Sequence, residues 1–251
     1  MSAMLAMVIL PGCGSCLLNP LTPYVSPDRW RLDAGLESGI TDDALSWLPC
    51  YPHLGLVALQ SRDVTPRGLA NLAVLPELEL LSLGPMAVTD AGLAPLAELS
   101  MLQKLMLGGC EITDAGLAHL AGLRRLRELS LRDNPIEGRG LVHLRGLQQL
   151  RILGLARTRV DDDGMAHIAE LRKLEQLWLW DTRITNLGLA HVTDLVELRM
   201  LSVRGTALSD SGLESLRSLV NLEEISIGDT FVTEEGVRRF REAHPGCRVQ
   251  Y

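Results

Sequence analysis

The chain is 251 residues long and 47% hydrophobic, with 24 Lys or Arg against 31 Asp or Glu, a formal net charge of −7. That length accommodates one domain or two, and an acidic balance argues against a phosphate-backbone ligand, so a nucleic-acid partner is not expected. Aromatic residues are only 4% of the chain, which calls for an aliphatic core.

Residues 1–28 carry no charge before Asp28. Met4–Leu10 is an apolar run too short to span a bilayer, and Leu10-Pro11-Gly12-Cys13 follows it directly. A short apolar segment, a small residue and then Cys resembles a lipoprotein signal with its lipobox. The resemblance implies that residues 1–12 are removed and that Cys13 becomes an acylated N-terminus in the cell envelope. Gly14, rather than Asp, follows the cysteine, which in enteric-type sorting implies the outer membrane. The alternative, an unstructured N-terminus on a cytoplasmic protein, stays open. Residues 13–29 read as a tether, with Pro20, Pro23 and Pro27 favouring extended chain.

From Leu54 to Pro245 one 24-residue unit recurs eight times without insertion or deletion, and Trp30–His53 is a weaker ninth copy. Leu102–Arg125, LQKLMLGGCEITDAGLAHLAGLRR, is representative. Its first position, Leu102, is Leu in all eight copies, and the alternating Leu105 and Leu107 fall on one side, which is the period of a strand. A β-branched residue, here Ile112, suits the extended turn that follows. The period then becomes three at Leu117, Leu120 and Leu123, which share a helical face. Thr113 precedes that helix, and Thr or Ser recurs there at Thr41, Thr65, Thr89, Thr185, Ser209 and Thr233. These read as N-caps, with the following Asp favoured by the helix dipole. A Gly sits in the helix's first turn in every copy, from Gly68 to Gly236. Gly costs about 1 kcal/mol against Ala inside a helix, so its recurrence implies a close approach to the next coil. Residues 30–53 are expected to cap the N-terminal end. At the other end Phe240, Ala243 and residues 246–251 close the last coil, with Val249 and Tyr251 forming a final strand.

A single coil buries too little to offset its own ordering, so stability belongs to the stack. Strands pack about 4.8 Å apart and helices about 8–10 Å, so the stack bends with its strands inside. The expected fold is α/β: a right-handed solenoid, or horseshoe, with a parallel sheet on the concave face and helices on the convex face. The pattern LxxLxLxxTxITDxGLAxLxxLxx resembles bacterial leucine-rich-repeat proteins, nearest to the 24-residue GALA-like and cysteine-containing types. The resemblance covers Trp30 to the C-terminus and implies a protein-binding scaffold. The ninth position, Cys or Asn in cysteine-containing repeats, holds Cys110 and Asn134 here but Thr158, Thr182, Thr206 and Thr230 elsewhere. The residues before Trp30 are too few for an F-box, so a ubiquitin-ligase role is not expected.

Five cysteines form no paired metal-ligand motif, and no structural disulfide is expected. Cys110 reads as a buried small hydrophobe. His119, His143, His167 and His191 recur every 24 residues. A metal or pH-sensing stripe is one reading; a solvated position copied with the repeat is the better one, since helix spacing is too wide for a shared metal. The outward positions of the sheet change character along the arc, from Ala58, Ser82 and Gly108 to Arg132, Asp133, Arg157, Trp178, Trp180, Asp181 and Arg204. Trp178 and Trp180 are two apart and so face the same way. Exposed Trp beside Arg is the composition of a binding hot spot, and Arg204 is placed for a cation–π contact with Trp180. Arg159 and Arg183 extend the patch. Residues 102–205 hold 15 Lys or Arg and 13 Asp or Glu, against 9 and 18 elsewhere. No nucleophile elbow, phosphate loop or metal motif occurs, and Asp161–Asp163 reads as helix capping. The expectation is a monomeric, non-enzymatic module without cofactor or metal, binding a protein through these residues. A structural envelope lipoprotein without a specific ligand is the alternative.

Overall fold

A computed structural model of the protein describes residues 19–28 and 30–251. The lipobox, with Cys13, lies outside the described residues. Ten short strands follow one another: β1 (Arg31–Ala34), β2 (Leu56–Leu59), β3 (Leu80–Leu83), β4 (Lys104–Met106), β5 (Glu128–Ser130), β6 (Ile152–Gly154), β7 (Gln176–Trp178), β8 (Met200–Ser202), β9 (Glu224–Ser226) and β10 (Arg248–Gln250). They form one sheet in strict sequence order, and every pairing is parallel. The molecule is an α/β solenoid.

The register advances by one repeat per strand, so Leu105, Leu129, Leu153, Leu177 and Leu201 stand side by side. In the representative coil Leu102, Leu105, Leu107, Ile112, Leu117, Leu120 and Leu123 are all fully buried. The return limb is tighter than an amphipathic α-helix. Leu117 and Leu120 lie in a 3-10 segment, Gly116–Leu120, and four other coils combine a short α-helix with 3-10 structure. A three-residue leucine spacing matches the 3.0 residues per turn of a 3-10 helix better than 3.6. The longest helix among the described residues, Glu234–Ala243, extends to 10 residues.

The buried polar ninth position is satisfied coil by coil. Thr158, Thr182 and Thr206 each donate from Oγ1 to the carbonyl three residues back at 2.6 Å. Asn134 bonds the carbonyls of Leu107 and Leu131 and accepts from the Ile112 amide. Threonine therefore substitutes by closing its own strand end, whereas Asn134 ties two coils.

The Thr–Asp pair does more than cap. The Asp162 carboxylate accepts from the Thr185 amide (2.7 Å), the Thr185 hydroxyl (2.6 Å) and the Gly188 amide (2.9 Å) of the next coil. Asp42 with Thr65, Asp90 with Thr113 and Asp210 with Thr233 repeat the amide and hydroxyl bonds. Each aspartate thus caps the following coil, a role that dipole arguments on a single helix do not anticipate. Thr41, Thr65, Thr185 and Thr233 also cap their own helices, but Thr89 and Ser209 do not. The constant spacing of glycine follows from the same geometry: a Cβ at Gly116, Gly188 or Gly236 would overlap the aspartate of the preceding coil, and at Gly140 it would overlap the Asp114 backbone.

The ends differ from expectation. Residues 19–28 do not behave as a tether: Leu21 is fully buried, Val25 bridges to Leu32 and the Tyr24 hydroxyl donates to the Ser38 carbonyl. They cover the open side of the first coil, whose register to β2 is 25 residues rather than 24. At the far end Ala243 is exposed. His244 is buried in its place, stacked on Phe240 at 4.4 Å between ring centroids. Val249 pairs with Ile225 in β10, but Tyr251 lies beyond the strand and is 72% exposed. Cys50 is disulfide-bonded, against the expectation of none; the spacing of cysteines does not reveal which loops a cap brings together. Cys110 and Cys247 are free and buried, and burial pushes both thiols up to about 11.

Candidate functional site: an aromatic trough on the sheet

The face of the sheet turned away from the helices carries the side chains that break the repeat. Leu177 and Leu179 point into the core and are fully buried. Trp178 and Trp180 alternate with them and stand half-buried on the outer face, as the strand period requires. The strand beside them offers almost no side chain: Gly154 pairs with Trp178, and Ala156 follows two residues later. Ser130 and Ser202 occupy the corresponding places on β5 and β8. Two large rings beside two minimal residues leave a trough of about 320 Å3, floored by Ser130, Gly154 and Ala156 and walled by Trp178, Trp180 and Met106. Glu128 and Arg132 line it as well.

Arg132 reaches across the small Ala156 to lay its guanidinium over the Trp180 ring at 4.9 Å. Arg157 approaches the same ring at 5.9 Å. Both distances are within cation–π range. Asp133 holds the two together, accepting from Arg132 Nε at 2.7 Å and lying 3.0 Å from Arg157 Nε. The expected partner of Trp180 was Arg204, but Arg204 instead pairs with Asp229, Nε to carboxylate at 2.9 Å. The reason is local. Asp229 projects from the next coil within reach, and the gap above Ala156 opens Trp180 towards Arg132. Asp181 is exposed and its carboxylate lies against Gly205, away from the trough.

Asp133, Arg157, Asp181 and Asp229 share one repeat position and a left-handed backbone, with φ of 58°, 53°, 54° and 55°. Gly109 and Gly205 fill that position with φ of 71° and 67°. Asp tolerates this region; Arg does so at a cost. The position ends the strand and swings its side chain to the rim of the sheet. A second hollow of about 430 Å3 lies there, lined by Asp133, Asn134, Arg157, Arg159 and Asp181 among others. The Arg132–Asp133–Arg157 bridge separates it from the trough.

The predicted residues therefore divide. Trp178, Trp180, Arg132, Asp133 and Arg157 come together, while Arg204 and Asp181 stand to one side. Met106, Glu128, Gly154 and Ala156 join them without standing out in the repeat pattern. The signal for the last two was available: they are the smallest outward residues of the coil next to the two tryptophans. Glu128 is neutralised by Lys104 at 2.8 Å.

The histidine row gathers no metal set. His143 and His191 are exposed, His119 and His167 half-buried, and His167 Nδ1 meets Arg145 at 3.0 Å. Among the described residues no group of three or more His, Cys, Asp or Glu is placed to hold a metal ion. No described helix is long and apolar enough to cross a membrane. What the trough offers chemically is shape, apolar surface and fixed charge.

The family model described as Leucine Rich repeat matches residues 98–121 and 123–144. No curated protein matches the chain. Among solved structures it is similar to an internalin C2 from Listeria monocytogenes, with a TM-score of 0.62, 25% identity, and 81% of this chain and 80% of that chain covered. A second similar structure is an internalin of the same organism, inlF, with a TM-score of 0.58 and 20% identity over 82% of this chain and 69% of that one. The fold is a leucine-rich-repeat solenoid, a class of scaffold that generally binds protein partners.

Proposed function

We propose that the chain is a non-enzymatic protein-binding module whose partner seats on the concave sheet face over Trp178 and Trp180. The observation that carries this reading is the pair of half-buried indoles beside the Gly154–Ala156 gap, with Arg132 held over Trp180. Aromatic and Arg side chains around a recess are the residues that dominate interface energetics, and a solenoid sheet supplies a rigid base for them. The GALA-like character of the repeat and the acylation of Cys13 belong to the same reading: a lipid-anchored, monomeric receptor displayed at the cell envelope. Labelled palmitate incorporated by the parent and lost in Cys13→Ala supports the anchor; an unlabelled parent removes it.

The test of the binding face is a Trp178→Ser/Trp180→Ser double variant in quantitative pull-downs with the full chain as bait. Both side chains project outward, so the melting temperature stays within a few degrees of the parent while a specifically retained partner is lost. Recovery of the same partner in equal amount overturns the assignment.

A further inference from the structure

We infer that the partner inserts a large apolar side chain into the trough and places a carboxylate over the neighbouring Arg157–Arg159 rim, that is, that the ligand is an extended acidic–apolar segment of a protein. The inference rests on the proposed binding face and goes further by fixing the chemistry of its occupant.

The trough and the rim hollow share one wall, the Arg132–Asp133–Arg157 bridge. On the trough side, Trp178, Trp180, Met106 and the bare floor at Gly154 favour an apolar group. The one acid there, Glu128, is already matched by Lys104. The rim hollow is lined by two arginines and two aspartates, but with Arg132 reaching Asp133 from the trough side the charges do not balance. Two guanidiniums, Arg132 and Arg157, share the single carboxylate of Asp133, and Arg159 has no ion-pair partner among the described residues. Asp181, the only other acid lining the hollow, turns its carboxylate towards Gly205. Arg183 stands at Arg159's position in the next coil, likewise without an ion pair among the described residues. The excess is cationic, so the complementary group is an anion beside the apolar anchor. An arginine already positioned by one carboxylate and a ring loses little freedom when it receives a second carboxylate.

Geometry sets the spacing. From the trough floor at Gly154, the end of β6, to Arg157 the chain advances three residues through a turn, at most roughly 10 Å by strand rise. An extended ligand lying along the strands therefore carries its acid about three residues from its anchor.

The experiment uses the full chain immobilised against a phage-displayed library of random linear peptides. Enriched clones are expected to share a Leu, Ile, Phe or Trp with an Asp or Glu about three residues away. A synthetic peptide of that consensus is then titrated. Gly154→Leu fills the trough without removing any contact residue; a Cβ at Gly154 meets only ordinary contacts with Ser130, the nearest at 3.4 Å. It is expected to weaken the peptide at least tenfold. Arg159→Glu is expected to weaken it about tenfold as well, but to leave the peptide's acid-to-amide analogue unchanged. Apolar clones without acidic bias, still lost on Gly154→Leu, overturn the acidic preference and leave the binding face standing. Clones that bind Gly154→Leu as tightly as the parent, or an oligosaccharide that binds the trough in their place, overturn the peptide occupant itself.

Discussion

The Asp–Thr ladder at the turns and the outward row of the sheet run the same length of the molecule with opposite habits. Along the ladder, Asp42, Asp90, Asp162 and Asp210 make the same bonds to the Thr of the next coil, and each glycine leaves room for that carboxylate. Along the outward row, Met106, Ser130, Gly154, Trp178 and Ser202 are register neighbours and no two large residues are alike. The sheet's hydrogen bonds do not depend on those side chains, so the row is free to vary. Where a coil must fit its neighbour the residue repeats; where it faces outward the residue changes from coil to coil. Pro66, Gly138 and Asn186 stand where the aspartate would be; Asn186 still accepts from the Ser209 amide, so the ladder has two gaps, at Pro66 and Gly138. Thr89 there lacks a cap bond, and Asp161 caps its own helix instead.

The contrast is broken most severely at Gly140. A Cβ there would overlap the backbone of Asp114, which cannot turn aside as a side chain can. Gly140→Ala is expected to destabilise by about 1–3 kcal/mol, several degrees in melting temperature. Gly246→Ala, which meets nothing within 4 Å, is expected to stay within about 0.5 kcal/mol. Equal melting temperatures for the two variants would show that the coils do not approach as closely as described.

Next in size is the aspartate. Asp162→Ala leaves the Thr185 amide, the Thr185 hydroxyl and the Gly188 amide without their acceptor. About 2 kcal/mol is expected, the usual result of orphaning donors to a charged group. Asp163, exposed at the adjoining position, gives less than about 0.5 kcal/mol on replacement by Ala. Acid tests the same bonds. The Thr233 amide, and then its hydroxyl, hold the Asp210 carboxyl below its usual value of 3.8, with Arg239 adding to the effect. A depressed folded-state value means a contribution that is present above pH 3.8 and is lost as pH falls through the lower folded value. Asp210→Asn is therefore expected to be less stable than the parent at neutral pH and to converge with it in acid, flattening the acid limb of a stability–pH curve; an unaltered acid limb would disconnect the ladder from acid unfolding.

The sequence made the coil legible because its constraints repeat: seven buried positions, a turn with Thr–Asp, and a glycine, all at constant offsets. What it did not reveal are contacts between coils that no single coil displays. The destination of the aspartate was one, since Asp162 meets a residue 23 positions away. The partner of Trp180 was another. Register places Arg204 beside it, and only the emptiness above Ala156 sends Arg132 there instead. Likewise Leu21 and Tyr24 carry no periodic signal, yet they complete the first coil's core. The left-handed position was visible as Gly109 and Gly205 but concealed where Asp133 and Arg157 replaced them.

The smallest expected effect on stability separates the two habits best. Arg157 occupies φ 53°, a region that disfavours a residue with a Cβ by about 1–2 kcal/mol. Arg157→Gly relieves this, but glycine adds about 0.4–1 kcal/mol of unfolded-state entropy and an exposed ion pair worth under about 1 kcal/mol is lost. These terms nearly cancel, so the melting temperature moves little. Affinity for an acidic–apolar peptide, however, is expected to drop at least fivefold, because a guanidinium beside Trp180 is gone. Asp162→Ala behaves in reverse, losing stability while binding persists below its melting transition. If Arg157→Gly instead costs several degrees and leaves affinity intact, the left-handed arginine is a structural element, and the outward row is no freer than the ladder.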